Sequence, residues 1–165
     1  MTQFQRRSVI AGIGGTVLAS LAGCLGDDDD DDDDDADDAD ADPEDIAVDW
    51  VSEADNFDDA GDIADHTGED SVTVNNGEQP GSNYVYEPAV IRIDAGTEVT
   101  WEWVTDGHNA EEVVGEGATI EDWDDEESIE NEGHTHSTTF DEAGVALYQC
   151  GPHIAQNQRG AVIVE

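Results

Sequence analysis

Nine consecutive aspartates, Asp27 to Asp35, split the chain into parts that cannot share a core. Carboxylates at that density repel one another and offer no apolar surface to bury. The run and the Asp/Ala stretch after it, to Asp42, are therefore expected to form a disordered, extended spacer. A calcium-binding tail is the alternative, but nothing in the run pre-organises its carboxylates. The expected organisation is a leader over residues 1–23, an acidic tether over 24–45 and one folded domain over 46–165.

The acid is distributed unevenly. Residues 1–26 hold no Asp or Glu, and all 44 acidic residues follow, opposed only by Arg92 and Arg159; lysine is absent. Screening reaches about 10 Å at 0.1 M salt and shortens as salt rises, so such self-repulsion suits a protein working in very high salt, as in a halophile. Nucleic acid and anionic surfaces are poor partners for such a chain, so no nucleic-acid partner is expected, and a monomer is expected.

The leader runs Arg6-Arg7-Ser8-Val9-Ile10 and then through small and apolar residues to Gly23. A positive end before a short apolar stretch is export-signal composition, and the paired arginines point to the twin-arginine route. Roughly 20 apolar residues are needed to span a bilayer, and this glycine-interrupted stretch falls short. Leu21-Ala22-Gly23-Cys24 resembles the lipobox of exported lipoproteins, which implies lipid attachment at Cys24 and a place on the outer face of the cell membrane. An ordinary cleaved signal with a chance cysteine stays open. A Cys24–Cys150 disulfide is the other use of two cysteines in an exported chain. The charged tether between them argues against it.

From about Ile46 the pattern is that of strands. Val99, Trp101 and Trp103 alternate with Glu98, Thr100 and Glu102, and Val72 and Val74 with Ser71 and Thr73. Further strands are expected at 89–93, 137–140, 145–149 and 161–165. Turn signals stand at Asn75-Asn76-Gly77, Gln79-Pro80-Gly81, Asp94-Ala95-Gly96 and Glu142-Ala143-Gly144. Short strands with frequent turns and no sustained helical period predict an all-β sandwich or barrel. Residues 52–70 and 111–135 read as acidic surface loops, pinned to the core by Phe57 and Trp123.

The chemistry concentrates in Tyr148-Gln149-Cys150-Gly151-Pro152-His153, where a strand runs into a tight turn. A thiolate and an imidazole suit zinc as well as copper. A third donor on another strand, in Gly107-His108-Asn109, narrows the choice. Two imidazoles, one thiolate and a weak axial group make the trigonal blue-copper site.

Residues from about 46 to 165 resemble the small cupredoxins, most closely the halocyanins of haloarchaea, relatives of plastocyanin. The resemblance rests on Tyr86-Glu87-Pro88, Asp94-Ala95-Gly96-Thr97, Trp101-Glu102-Trp103, Gly107-His108-Asn109, Tyr148-x-Cys150-x-Pro152-His153 and Gly160-Ala161-Val162. It implies a cupredoxin-type Greek-key fold and a single type 1 copper cycling between Cu(I) and Cu(II). It also implies that Asn109 ties the two ligand loops together. Where the family commonly has Met, eight residues after the Cys, this chain has Gln158, and its only Met is Met1. A Gln carbonyl oxygen is an accepted axial donor, harder than sulfur, and favours Cu(II). Two other outcomes are open at this stage: a Gln158 turned to solvent above a three-coordinate copper, or a site that has lost copper.

His134 and His136, two apart, are expected to be solvent-facing strand residues. His66 is an isolated loop histidine with no role assigned. An immunoglobulin-like sandwich is the rival fold, but it wants a second cysteine inside the domain. The expected function is one-electron transfer between membrane-bound redox proteins, in a respiratory chain, through an uncharged patch of Gly107, Pro152, Ile154 and Ala155 around His153. The alternatives are an enzyme, a copper-buffering surface lipoprotein and a non-redox adhesion module. An enzyme would need a second copper site of three histidines, and only His66, His134 and His136 remain for it.

Overall fold

The computed structural model describes residues 41–79 and 82–165; the leader, Cys24 and the aspartate run lie outside them. Ten strands follow one helix: α1 (Pro43–Val51), β1 (Ala64–Asp65), β2 (Ser71–Gln79), β3 (Ser82–Glu87), β4 (Val90–Ile93), β5 (Thr97–Trp103), β6 (His108–Glu112), β7 (Glu126–Glu130), β8 (Thr135–Phe140), β9 (Gly144–Gln149) and β10 (Arg159–Val164). They form two sheets, ordered β1-β4-β10-β9-β6-β7 and β3-β2-β5-β8. The result is the two-sheet all-β sandwich that the strand pattern predicts.

The two sheets read differently in sequence because they are covered differently. β5 alternates buried Val99, Trp101 and Trp103 with outward Glu98 and Glu102, since only its inner face is covered. β9 and β10 are buried on both faces. Ala146, Tyr148, Val162 and Val164 enter the core between the sheets, where they meet Val74, Val99 and Trp101. Their alternates Val145, Leu147, Ala161 and Ile163 form a second cluster with Ile46, Ala47, Val51 and Phe57. Helix α1 therefore roofs the outer face of the larger sheet.

This helix corrects the expected boundary, because residues 43–45 are helical rather than part of a disordered tether. Asp42 caps it, its carboxylate accepting from Glu44 N–H at 2.9 Å, and Pro43 takes the first turn. At nine residues it is too short for a sustained period, and its polar face merges with the acidic run before it. The only two cations of the folded part both fasten it. Arg92 pairs with Glu44 and, at 3.2 Å, with Glu165. Arg159 donates to the Trp50 carbonyl at 3.2 Å and lies 4.5 Å over the Trp50 ring.

The acidic stretches also hold more structure than expected. Residues 52–70 contain a 3-10 turn (Ala60–Asp62) and β1, and Phe57 is buried as expected. Residues 111–135 contain the end of β6 and all of β7, whose Glu-rich sequence has no apolar alternation to reveal a strand. Trp123 stacks on Trp101, centroids 5.4 Å apart. Asn75-Asn76-Gly77 is not a turn but lies within β2, and the register shifts between Gly77 and Gln79. His134 and His136 are half-buried rather than solvent-facing. They share the inward side of their segment with Thr138 and Phe140, and His134 stands edge-on to Trp103 at 4.8 Å.

Candidate metal centre

Four segments converge at one end of the sandwich. His108 opens β6, Cys150 follows β9, His153 lies in the 3-10 turn Gly151–Gln156, and Gln158 immediately precedes β10. The loop from 150 to 158 is held by its own backbone. Cys150 N–H donates to the Gln158 carbonyl (3.0 Å), His153 N–H to that of Cys150 (2.9 Å) and Gln158 N–H to that of His153 (3.3 Å). Gly151 leaves room for the Glu111 carboxylate, whose oxygen would stand 2.7 Å from a Cβ at this position and would have to shift.

The donor atoms meet around the thiol. Cys150 Sγ is 3.7 Å from His108 Nδ1 and 3.2 Å from His153 Nδ1. Donors bound to one ion at about 2.0–2.3 Å in a trigonal array stand roughly 3.8 Å apart, so the set fits a single metal. Among the described residues it is the one group of three or more His, Cys, Asp or Glu whose donor atoms converge in this way, all within 4.8 Å.

The His108 imidazole is oriented from behind. His108 Nε2 lies 3.0 Å from Thr105 Oγ1, which leaves Nδ1 turned to the thiol. Trp103 Nε1 donates to the His108 carbonyl at 2.8 Å and fixes its backbone. Burial pulls both imidazoles below the ordinary histidine value, although hydrogen bonding to Gln158 opposes it. Their lone pairs are thereby kept available near neutral pH. Burial pushes the Cys150 thiol up to about 11, partly offset by the backbone N–H groups of Asn109 and His153.

Gln158 is wholly buried, which removes the solvent-facing alternative. Its amide nitrogen donates to Asn76 Oδ1 (2.8 Å) and the Val85 carbonyl (3.2 Å). The amide is thus fixed with Oε1 on the side of the donors, 2.9 Å from His108 Nδ1. Asn109 does join the two loops, since its Oδ1 accepts from Gly151 N–H at 2.8 Å while its Nδ2 donates to Glu111 and to the Glu127 carbonyl.

Of the expected patch, Pro152 and Ala155 are exposed and Gly107 and Ile154 half-buried. His66 stays away from the centre and contacts Glu69 at 3.2 Å. Three contributors escaped the sequence reading. Tyr84 is exposed and lies over His153, ring centroids 4.5 Å apart. Asn76 orients Gln158 and also donates to the Asn109 carbonyl. Gly77 carries a positive φ of 133° and leaves room for Thr105, whose hydroxyl a Cβ would overlap. One signal for this was available: Val72, Val74 and Asn76 lie on one face at period two, and a polar residue continuing an apolar face marks a site within the core.

The sequence model of the plastocyanin/azurin family of copper-binding proteins matches residues 68–165. Across 167 aligned positions spanning all of both chains, the protein is 47% identical to halocyanin of Natronomonas pharaonis. The chain belongs to the plastocyanin/azurin family of copper-binding proteins. Within that family it is a cupredoxin of the halocyanin type, and its cofactor is copper. Plastocyanin of Scenedesmus fuscus is 35% identical over 100 residues, which are 57% of this chain and 99% of that one. Pseudoazurin from Methylobacterium extorquens AM1 overlays 58% of this cupredoxin and 75% of its own chain, with a TM-score of 0.47 and 28% identity.

Proposed function

We propose that this cupredoxin is a one-electron carrier whose copper is held by His108 Nδ1, Cys150 Sγ and His153 Nδ1, with Gln158 Oε1 as the axial donor. The observation that carries this reading is the meeting of two imidazole nitrogens and a buried thiol sulfur beside a carboxamide already fixed by the protein. Copper bound there supplies the Cu(I)/Cu(II) couple. Donors fixed in advance by the protein would move little between the two states, which would keep the reorganisation cost of each transfer small. Thr105 and Trp103 hold His108, Asn109 fixes the Cys150 loop, and Asn76 and Val85 hold Gln158. The test is the spectrum of the copper-loaded protein. An intense blue thiolate charge-transfer band is expected, and its absence overturns the reading.

Electrons enter and leave through His153, half-buried beneath Tyr84 and bordered by Pro152 and Ala155. An uncharged border lets a partner approach without desolvating carboxylates. Ala155→Glu, at an exposed position, is expected to slow electron exchange with redox partners at least tenfold while leaving the blue band in place. Stopped-flow rates equal to wild type would remove the patch from the mechanism.

The setting proposed is the outer face of the cell membrane, in a respiratory chain, with lipid on Cys24 and membrane-bound redox proteins as donor and acceptor. The support is the lipobox-like Leu21-Ala22-Gly23-Cys24, the charged spacer that follows it and the full-length match to a halocyanin. Cys24→Ser is expected to move the protein from the membrane fraction to the medium without altering its spectrum. Retention of the variant in membranes would sink the anchor.

A further inference from the structure

Glu111 ends in a half-buried carboxylate set against the loop that carries Cys150. Its Oε2 accepts from Asn109 Nδ2 at 3.0 Å and its Oε1 from Gln149 Nε2 at 2.9 Å. A Cβ on Gly151 would stand 2.7 and 2.9 Å from the same two oxygens. Each of these neighbours adjoins a proposed ligand in sequence: Asn109 follows His108, and Gln149 and Gly151 flank Cys150. The register explains the placement. β6 pairs Glu111 with Gln149, so position 111 lies beside the point where β9 passes into the copper loop.

That carboxylate meets neutral amides rather than a cation. Among the described residues the only Lys or Arg are Arg92 and Arg159. Arg92 is paired with Glu44 and Glu165. Arg159, across Gln149 on β10, is turned to the Trp50 carbonyl and ring. Two amide donors fix the carboxylate in place without neutralising it. Its field reaches the centre: burial is the larger influence pushing the Cys150 thiol up, and repulsion from Glu111 adds to it. Salt screens a half-buried charge much less than it screens the exposed acids elsewhere on the surface.

We propose that Glu111 is a fixed negative charge that lowers the reduction potential of the copper centre. The inference rests on the copper ligation proposed above. One electron added to a Cu(II)–thiolate pair takes it from a single positive charge to neutrality. A nearby anion therefore stabilises the oxidised state over the reduced one. Gln158 favours Cu(II) through the hardness of its oxygen, so the two residues act in the same direction by different means.

The test compares Glu111→Gln and Glu111→Asp with wild type, as full-length copper-loaded proteins in multimolar salt. Gln keeps the size of the side chain. It also keeps a bond to Asn109, and one to Gln149 once that amide turns. Glu111→Gln is expected to stay blue and to lower the ratio of Cu(II) to Cu(I) affinity about threefold, read by voltammetry as about 28 mV upward. Glu111→Asp pulls the carboxylate back from its partners, so the metal-free domain should melt at a lower temperature. It retains the charge, and its potential should move by less than half as much. Glu98→Gln, on the outward face of β5, should leave the potential in place. A blue Glu111→Gln protein with an unmoved potential would overturn the proposal. Equal shifts in the Gln and Asp variants would do the same and make Glu111 a brace for the loop. A colourless wild type would overturn the copper ligation itself, and this inference with it.

Discussion

Cys150→Ser is expected to abolish the blue band and to lower copper affinity by several orders of magnitude, the largest effect of any single substitution in this domain. The thiolate is the only anionic donor among the proposed ligands, and the intense band is a sulfur-to-copper charge transfer that oxygen cannot supply. The fold should survive, because Ser is nearly isosteric and the backbone bonds of Cys150 with Gln158 and His153 remain. A circular-dichroism spectrum and melting curve close to wild type would separate ligand loss from unfolding. The same residue sets the pH dependence of binding. A thiol pushed up to about 11 by burial carries its proton at neutral pH, and the metal must displace it. Protons compete, so copper affinity in the wild type should rise about tenfold per pH unit from the imidazole range up to about 11. Competition titrations against a chelator across pH 7–9 measure that slope. In Cys150→Ser the hydroxyl stays protonated and the slope should vanish. A blue variant would remove Cys150 from the copper centre.

The strands that alternation reveals in the sequence are those covered on one face. Glu98 to Trp103 announces itself because the two environments of β5 differ at every step. The continuous runs Val145-Ala146-Leu147-Tyr148 and Ala161-Val162-Ile163-Val164 were legible as strands, but their lack of alternation carried a second message. A strand apolar on both sides needs a cover on both sides, and α1 is that cover. The helix stayed hidden because its capping Asp42 and its Glu44 and Asp45 continue the acidic composition of the preceding run. β7 stayed hidden for a different reason. It is an edge strand of charged residues, paired to β6 by backbone bonds that leave no trace in side-chain pattern.

The donor set was more legible than its support. Cysteine and histidine are rare in this chain, and the motifs Gly107-His108-Asn109 and Cys150-Gly151-Pro152-His153 singled out the three donors among them. Their scaffold is built from common residues, and its positions follow only from the fold. Asn75-Asn76-Gly77 is the clearest case: its composition is that of a turn, yet the bulge it forms in β2 places Asn76 on Gln158 and admits Thr105 to His108. Local turn propensity lost to a strand already paired on both sides, with β3 and β5.

Gln158→Met is expected to raise the reduction potential and lower the stability together, and the pairing of these effects distinguishes an axial donor from a residue that only packs. A carboxamide oxygen is a harder donor than a thioether and favours Cu(II), so its replacement should shift the ratio of Cu(II) to Cu(I) affinity by tenfold or more, about 59 mV upward for one electron. The stability cost has a separate origin. Gln158 Nε2 is the donor to Asn76 Oδ1 and to the Val85 carbonyl, both within the buried core, and Met has no N–H to offer them. Leaving buried acceptors without a donor costs about 1–3 kcal/mol each, partly relieved if Asn76 turns its amide. Cyclic voltammetry of the oxidised and reduced forms reads the first effect, and thermal melts of the metal-free protein read the second. Gln158→Glu separates them further. It keeps an oxygen donor while exchanging the amide nitrogen for a second acceptor, so it should destabilise the metal-free fold without raising the potential. A potential unmoved in Gln158→Met, with the melting temperature lowered, would make Gln158 a structural strut between β2 and β10 and leave the copper with three protein ligands.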